Sequence, residues 1–349
     1  MSLLSLLETV SQEFDVREIA VAGSHTRPVR YAQQTPAAGT NPRRFLVASL
    51  TKPVVAMGLL QLAGEGLVTL NERIGRFLPA FHKSAFRRIT VRHLLTHTAG
   101  FAEMVPDNLS LRAAHASLAE FTKAAASGQP DHPPDTHCRY SSIGFLLLGD
   151  IIARIAGEPC QQFLEDALFG PLKMPHTHLG IPGDELSRAA TSIAPCRLPP
   201  WQSADSNWNW NSDYWRSLGA PWGGLISTAG DLARFCRMMI SDGVVEGRQV
   251  VPGSVVRQCL RDQIAPLTAD ESFQGPARPW GLGWRGQWPR HHASFGDFVS
   301  ESAMGHWGAT GTLMWIDPPA QRYAVILSET PFERSHTALQ RISNRLAAN

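Results

Sequence analysis

The chain has 349 residues, and its 32 Lys and Arg against 30 Asp and Glu give a formal net charge of +2. This near balance excludes an electrostatic case for nucleic acid or an anionic membrane as partner. No apolar run reaches the ~20 residues needed to cross a bilayer. With 43% hydrophobic residues, we expect one large or two closely packed globular units and no membrane association. The N-terminal residues lack the basic region of an export signal and contain Glu8, so we expect a cytoplasmic location.

The first quarter of the chain predicts a helix, a hairpin and a second, buried helix. An amphipathic helix is expected over residues 2–14, followed by strands at Glu18–Ala22 and Pro28–Ala32. The Pro- and Gly-containing segment Thr35–Arg43 predicts a loop. From Thr51 to Gly64 the residues are apolar almost all round, which predicts a helix buried on every side.

The middle of the chain predicts helices separated by long loops, and the end predicts a hairpin and a helix. The middle helices are expected at Val91–Thr96, Leu109–Ser127, Ile143–Ala156, Cys160–Leu168 and Gly230–Ile240. Thr312–Ile316 and Arg322–Leu327 are apolar runs on either side of a Pro-rich turn, which predicts paired strands. A last helix is expected over residues 332–346.

These elements indicate an α+β fold in which both ends of the chain enter one antiparallel sheet flanked by helices. The middle then forms an inserted, mainly helical lobe. We expect residues 1–80 plus 295–349 to form the discontinuous α/β lobe, and residues 81–294 to form the helical lobe with substrate-lining loops. A cleft between two lobes is a natural site for a small substrate.

Neither a metal nor a cofactor is indicated. The five cysteines are widely spaced and include no Cys-x-x-Cys pair, so we expect reduced, mostly buried thiols. His93 and His97 have the spacing of a helical metal pair, but no Glu follows His93 and no third ligand is evident. We expect these two histidines to brace the fold.

Ser49 and Lys52 are the candidate nucleophile and its proton partner. They lie three residues apart at the start of the predicted buried helix, so both side chains share one face. A serine hydroxyl needs a base beside it, and burial lowers the pKa of a lysine toward the range in which it can act as one. The helix N-terminus adds backbone N–H groups that can stabilise an oxyanion.

Further segments resemble the class C β-lactamase-like branch of serine hydrolases. That branch contains penicillin-binding proteins, D,D-peptidases, D-aminopeptidases, family VIII carboxylesterases and some acyltransferases. The similar segments, in chain order, are Ser49–Lys52 as Ser-x-x-Lys, residues 89–101 (ITVRHLLTHTAGF), Tyr140–Ser142, residues 223–235 (GGLISTAGDLARF), residues 281–284 (GLGW) and residues 305–312 (GHWGATGT). The resemblance implies a β-lactamase/transpeptidase-like fold.

The resemblance also implies roles for residues far from Ser49. Tyr140 would share the proton with Lys52 and pass it to the leaving group. His306 would line the cleft from the edge strand, in the family's Lys/His-x-Gly element that continues with Trp307 and Gly308. The N–H groups of Ser49 and Ala309 would form the oxyanion hole. Whether Lys52 or Tyr140 is the general base stays open, because a coupled pair need not have a single answer.

Two positions depart from the peptidase and lactamase pattern. Ser142 stands where that pattern has Asn, and it lacks the amide that would hold a substrate carbonyl. Trp307 stands where Thr is common, and it replaces a carboxylate-binding hydroxyl with apolar surface. Esterases of the family are looser at both positions. We therefore expect a serine hydrolase acting on small carboxylic esters or amides through an acyl-enzyme, with no more than weak β-lactamase activity.

Tryptophan is confined to the second half of the chain, between Trp201 and Trp315. Five tryptophans, with Trp208 and Trp210 among them, crowd the loop that leads into Gly223. Such a loop is either a substrate wall or a lid held down by its own aromatic packing. A wall would favour bulky apolar acyl or aryl groups.

Three other functions stay open. A D-aminopeptidase or D-stereospecific amidase would suit small peptides, and D- against L-amide substrates would reveal it. An acyltransferase would use an alcohol or amine in place of water, and acceptor competition would reveal it. A non-catalytic penicillin-binding relic would retain Ser49 without turnover. The substrate itself and the oligomeric state are not fixed by the sequence.

Overall fold

The computed structural model describes residues 2–24, 26–32, 42–83, 85–276 and 278–348. The strands, in chain order, are β1 (Glu18–Gly23), β2 (Thr26–Ala32), β3 (Phe45–Leu46), β4 (His178–Leu179), β5 (Leu225–Ser227), β6 (Val244–Val245), β7 (Arg248–Gln249), β8 (Arg285–Gly286), β9 (Met304–Gly308), β10 (Thr312–Asp317) and β11 (Arg322–Ser328). The helices are α1 (Leu3–Glu13), α2 (Thr51–Gly64), α3 (Val91–Leu95), α4 (Asn108–Ala113), α5 (Leu118–Ser127), α6 (Ser142–Ala156), α7 (Cys160–Leu164), α8 (Gly183–Ala189), α9 (Asp213–Leu218), α10 (Ala229–Ile240), α11 (Gly253–Leu260) and α12 (Phe332–Ala347).

The main sheet is antiparallel and has six strands in the order β2–β1–β11–β10–β9–β8. Strand β1 pairs with β11 from the far end of the chain, with Ile19 opposite Ser328. The turn at 318–321 joins β10 and β11 as a hairpin, with Thr312 opposite Leu327. The predicted α+β fold, with both chain ends in one antiparallel sheet, is therefore confirmed.

Helices cover both faces of this sheet, which is why its strands β1, β10 and β11 are mainly apolar on both faces rather than alternating with polar residues. Ile326 and Trp315 point to the face covered by α1 and α12. Val325 and Met314 point to the opposite face and join the large core that contains α2 and α10. Helix α2 is buried almost completely, as its sequence predicts.

A small second sheet holds the chain that leads into α2. Strand β5 lies between β3 and β4, with Leu46 opposite Ile226. The hydroxyl of Thr51 ties the two segments further, since it donates to Ala48 O at 2.6 Å and accepts from Leu225 N at 3.0 Å. These contacts fix the first turn of α2 against the rest of the molecule.

Two predicted helices differ from the structure. The single helix expected over Leu109–Ser127 is wrong, because α4 ends at Ala113 and Ser117 begins α5 with a capping box to Glu120. The helix expected over Cys160–Leu168 is α-helical only to Leu164 and continues as a π-helical turn. Most of the loop predicted at 35–43 lies outside the described residues.

Within the described parts of the chain, none of the helices combines the length and apolar character that crossing a bilayer requires. All five cysteines are free thiols, four of them buried and Cys138 half-buried. The division into two lobes stays a prediction; the main sheet draws β8 from within the segment 81–294 that we assigned to the helical lobe.

Candidate active site

Ser49 lies in a single 3-10 turn, Ala48–Leu50, immediately before α2. Ala48 adopts a left-handed backbone conformation with φ of +47°. For a non-glycine residue this conformation costs about 1 to 2 kcal/mol, and strain of this kind concentrates at functional sites. The turn therefore presents the Ser49 hydroxyl at the N-terminal end of a rigid, buried helix.

Lys52 is one turn further along and has no exposed surface. Its Nζ donates to Trp222 O at 2.7 Å and lies 3.2 Å from Ser49 Oγ. Burial lowers the pKa of Lys52 to about 7, and the negative charge of Glu103 opposes this lowering. At neutral pH a substantial fraction of Lys52 is consequently uncharged, which a proton acceptor must be.

Tyr140 completes a compact group around the serine oxygen. Its hydroxyl donates to Ser49 Oγ at 2.7 Å, and its ring lies 4.7 Å from Lys52 Nζ. Burial raises the pKa of Tyr140, so the phenol keeps its proton at neutral pH. The structure thus brings Ser49, Lys52 and Tyr140 together, although 91 positions separate the tyrosine from the serine.

His97 holds the segment that carries Tyr140. The Arg139 N–H donates to His97 O at 2.9 Å, and the Ser141 N–H donates to His97 Nδ1 at 2.9 Å. The imidazole also packs 4.8 Å from the Tyr140 ring. Burial lowers the pKa of His97 well below its ordinary value, so the ring is neutral. His97 therefore holds Tyr140 in place through the backbone N–H groups of the residues before and after it.

His306 lies beside the Tyr140 ring, and the structure shows no hydrogen bond between it and Ser49, Lys52 or Tyr140. Its ring centroid is 5.9 Å from that of Tyr140, and its Nδ1 is 2.7 Å from Trp307 O. A carbonyl only accepts, so Nδ1 carries the proton, and Nε2 is a buried acceptor without a partner among the described residues. Burial and the charge of Lys52 lower the pKa of His306 well below its ordinary value. The ring is therefore neutral.

Two threonine hydroxyls bind the β9–β10 turn to the chain just before Ser49. Thr310 donates to Leu46 O at 2.6 Å and Thr312 donates to Val47 O at 2.9 Å. A Cβ on Gly308 would lie 2.4 Å from Val47 O, so only glycine permits this approach. The turn consequently places Ala309 on the same cavity as Ser49.

That cavity has a volume of about 270 Å³ and contains most of the predicted site. Ser142, Trp307 and Trp210 line it, and Trp307 is fixed by stacking on Phe332 at 4.5 Å. Four predicted site residues are not among the lining residues: Lys52, Trp208, His306 and Gly308. His306 was expected to line the cleft, but it is buried behind Tyr140 instead. The complete lining is Leu46, Ala48, Ser49, Glu103, Met104, Arg112, Tyr140, Ser142, Trp201, Trp210, Trp215, Trp222, Gly223, Trp307, Ala309 and Glu333.

Several lining residues were not predicted individually, although Trp201 and Trp222 belong to the tryptophan-rich loop that the sequence indicated as a possible substrate wall. Glu103 and Arg112 come from the loop before α4 and from α4 itself, where no local pattern distinguishes them. The carbonyl of Trp222 holds Lys52, and its position before Gly223-Gly224 in a recognised segment was the available signal. Trp201 is 58% exposed at the cavity and contacts Trp210 edge to face.

His93 is occupied by structural hydrogen bonds rather than placed in the cavity. Its Nδ1 accepts from Thr90 N at 3.1 Å, and its Nε2 lies 2.9 Å from Asp135 Oδ2. The same carboxylate accepts from the Thr98 hydroxyl at 2.9 Å. His93 thereby helps to attach the loop before Tyr140 to α3.

Comparisons with known proteins give one consistent result. A family model described as beta-lactamase matches residues 8–348. Penicillin-binding protein 4 of Amycolatopsis lactamdurans is 31% identical over 287 residues, which are 79% of this chain and 69% of that protein. Among solved structures, EstCE1, described as a hydrolase with promiscuous acyltransferase activity, is 18% identical with a TM-score of 0.76, and the match covers 99% of this chain and 98% of the other. A D-stereospecific amidohydrolase from Streptomyces sp. is 21% identical with a TM-score of 0.69, covering 97% and 96%.

Proposed function

Because the chain belongs to the beta-lactamase family of serine hydrolases, we propose that it hydrolyses small carboxylic esters or amides through an acyl-enzyme on Ser49. The predicted family resemblance is confirmed; the substrate and the residue roles below are our proposal. The observation that carries it is the group of Ser49, Lys52 and Tyr140, with two side-chain contacts of 3.2 and 2.7 Å converging on one serine oxygen.

In the proposed reaction, uncharged Lys52 accepts the proton of Ser49 as Oγ attacks the substrate carbonyl. The lowered pKa of Lys52 and the raised pKa of Tyr140 favour this division of labour, since the amine can accept while the phenol still holds a proton to give. Tyr140 passes a proton to the leaving group and is reprotonated through Lys52. Water then attacks the acyl-enzyme by the reverse sequence.

Two backbone N–H groups are proposed to stabilise the oxyanion, those of Ser49 and Ala309. Neither of them has a backbone acceptor within the described segments. Donors fixed in advance need no reorganisation when charge develops on the carbonyl oxygen, and the threonine contacts of the β9–β10 turn supply that rigidity. His306 is neutral, buried and outside the lining of the cavity, so it is proposed to position the Tyr140 ring rather than to contact substrate.

Ester substrates are favoured over β-lactams because of Ser142 and Trp307. Ser142 offers a short hydroxyl where an amide would hold a substrate carbonyl. Trp307, stacked on Phe332, presents an apolar surface where a hydroxyl would bind a carboxylate. Five tryptophans line the cavity: Trp201, Trp210, Trp215, Trp222 and Trp307. Their apolar surface favours an apolar acceptor over water, so acyl transfer to an alcohol is the second candidate function.

The test is intact-protein mass after brief exposure to p-nitrophenyl butyrate or a fluorophosphonate, followed by peptide mapping. We expect one adduct on wild type at Ser49 and none on Ser49→Ala. Ser141→Ala, a buried serine beside Tyr140, is the matched control and should still be labelled. Steady-state assays then compare p-nitrophenyl butyrate, benzylpenicillin, D- and L-alanine p-nitroanilide, and butyrate transfer to 1-butanol. Absence of any adduct on folded wild type, or faster turnover of benzylpenicillin than of the ester, would contradict the proposal.

A further inference from the structure

Arg112 is a buried cation set into the tryptophan wall of the cavity. It belongs to the last turn of α4 and is 4% exposed. Its guanidinium lies 4.6 Å from the ring centre of Trp208 and 4.5 Å from that of Trp215. The two indole rings therefore pack against the guanidinium and hold it in place.

The charge of Arg112 is not neutralised by its polar contacts. Its Nε donates to Asn108 Oδ1 at 3.1 Å and its Nη2 lies 3.8 Å from Met104 Sδ, and both of these acceptors are uncharged. Nη1 has no acceptor among the described residues. Burial lowers the pKa of Arg112 to about 10, so the side chain remains a cation at neutral pH. A buried charge without an anion is costly, which makes Arg112 a candidate to bind an anionic ligand.

Arg112 lines the same cavity as Ser49. Two tryptophans link Arg112 to the residues around Ser49. The Trp215 ring lies 4.5 Å from the Arg112 guanidinium and 6.1 Å from the Trp222 ring, and the carbonyl of Trp222 binds Lys52. An anion on Arg112 would thus lie within the volume that a substrate acylating Ser49 occupies. The other charged lining residues, Glu103 and Glu333, are exposed carboxylates.

We propose that Arg112 binds a carboxylate carried by the substrate, so that the enzyme favours esters or amides that join an apolar body to a carboxylate. This rests on the proposed function, because it assigns the substrate class of the same cavity. The tryptophans would contact the apolar body, and the free edge of the guanidinium would take the two carboxylate oxygens. A single cation in a cavity with two carboxylates suits a monoanion better than a phosphate dianion.

The experiment measures binding apart from turnover. In a Ser49→Ala background, tryptophan fluorescence is titrated with 4-phenylbutyrate and with its neutral counterpart 4-phenylbutyramide. We expect the carboxylate to bind about 10- to 100-fold more tightly, the range of a hydrogen bond to a charged group. Arg112→Met and Arg112→Gln should abolish this preference. Arg216→Met, which removes a buried arginine outside the cavity, should keep it.

Equal binding of the two ligands, or a preference that survives both Arg112 substitutions, would overturn the proposal. The second substitution covers the case in which the first fails to fold, as judged by circular dichroism. Failure of the proposed function has a different signature. Wild type would then leave esters intact while the Ser49→Ala protein still distinguished carboxylate from amide through Arg112.

Discussion

Lys52 is an amine that water would keep protonated, yet the fold surrounds it with apolar side chains and gives it a carbonyl and a hydroxyl as partners. Desolvation is therefore the main cause of its lowered pKa, and the same desolvation burdens the folded state whenever Lys52 carries its proton. The burial that prepares Lys52 to accept a proton therefore also lowers the free energy of unfolding.

We predict that Lys52→Met raises stability while abolishing ester hydrolysis. The pKa of Lys52 is about 7 in the folded protein and about 10.4 in an unfolded chain. Between these values the unfolded state binds more protons, so wild type gains stability as pH rises through this window. The advantage of the variant should accordingly be largest below pH 7 and shrink toward pH 10. Urea unfolding at pH 6, 8 and 10 measures it, and a less stable variant at pH 6 would contradict the prediction.

Glu103 is a secondary influence on the pH at which Lys52 loses its proton. Its charge raises the pKa of Lys52 against the effect of burial, so Glu103→Gln should lower that pKa further. We predict that the rising limb of kcat/KM against pH moves to lower pH in this variant. Glu333→Gln, which removes another carboxylate of the same cavity, is the control and should leave the limb in place. A limb that moves to higher pH would reverse the assigned electrostatics.

The chemistry around Ser49 could be predicted because it is local or lies in recognisable segments. Ser49 and Lys52 are neighbours on one helical turn, and Tyr140 belongs to a segment with a family resemblance. Arg112 and Glu103 could not be predicted in the same way. Their significance arises only when α4 and its preceding loop pack against the tryptophan loop, which lies about a hundred residues further along the chain.

At the scale of elements, long periodic segments were predicted and short strands were missed. Helices α2, α6 and α12 bury a consistent face or their whole surface, so their patterns are strong. Strands β3, β5 and β8 have two or three residues, too few for any periodicity to emerge. The break between α4 and α5 depended on one capping residue, Ser117, within an otherwise helical pattern.

The tryptophan-rich segment that ends with Trp215 in α9 contributes side chains to two different environments. Trp210 lines the cavity, whereas Trp208 packs on Arg112 behind it. We predict that Trp210→Ala raises KM for neutral long-chain p-nitrophenyl esters by about 3- to 10-fold through lost apolar contact. Trp208→Ala, the comparator in the same loop, should leave this KM near the wild-type value. Equal increases in both variants would mean that the loop had lost its packing as a whole.

At the scale of the whole molecule, a sheet with strands from both ends of the chain was predicted because apolar strand patterns occur only near the two chain ends. Its exact order was not, since strand neighbours depend on side-chain packing between segments of distant sequence position. Apolar residues on both strand faces required helices on both sides, and the structure supplies α1 with α12 on one side and α2 with α10 on the other.

The pairing of β1 with β11 has a consequence for how the protein is made. The carboxylate of Glu329 accepts from the N–H groups of Arg17 and Glu18, which are 312 and 311 positions away in the sequence. A ribosome adding about 5 to 20 residues per second needs roughly 15 to 60 seconds to cover that distance. During this interval β1 is not paired with β11. The main sheet can form completely only after β11 has been synthesised, so an unpaired, apolar β1 is an aggregation-prone segment of the nascent chain until then.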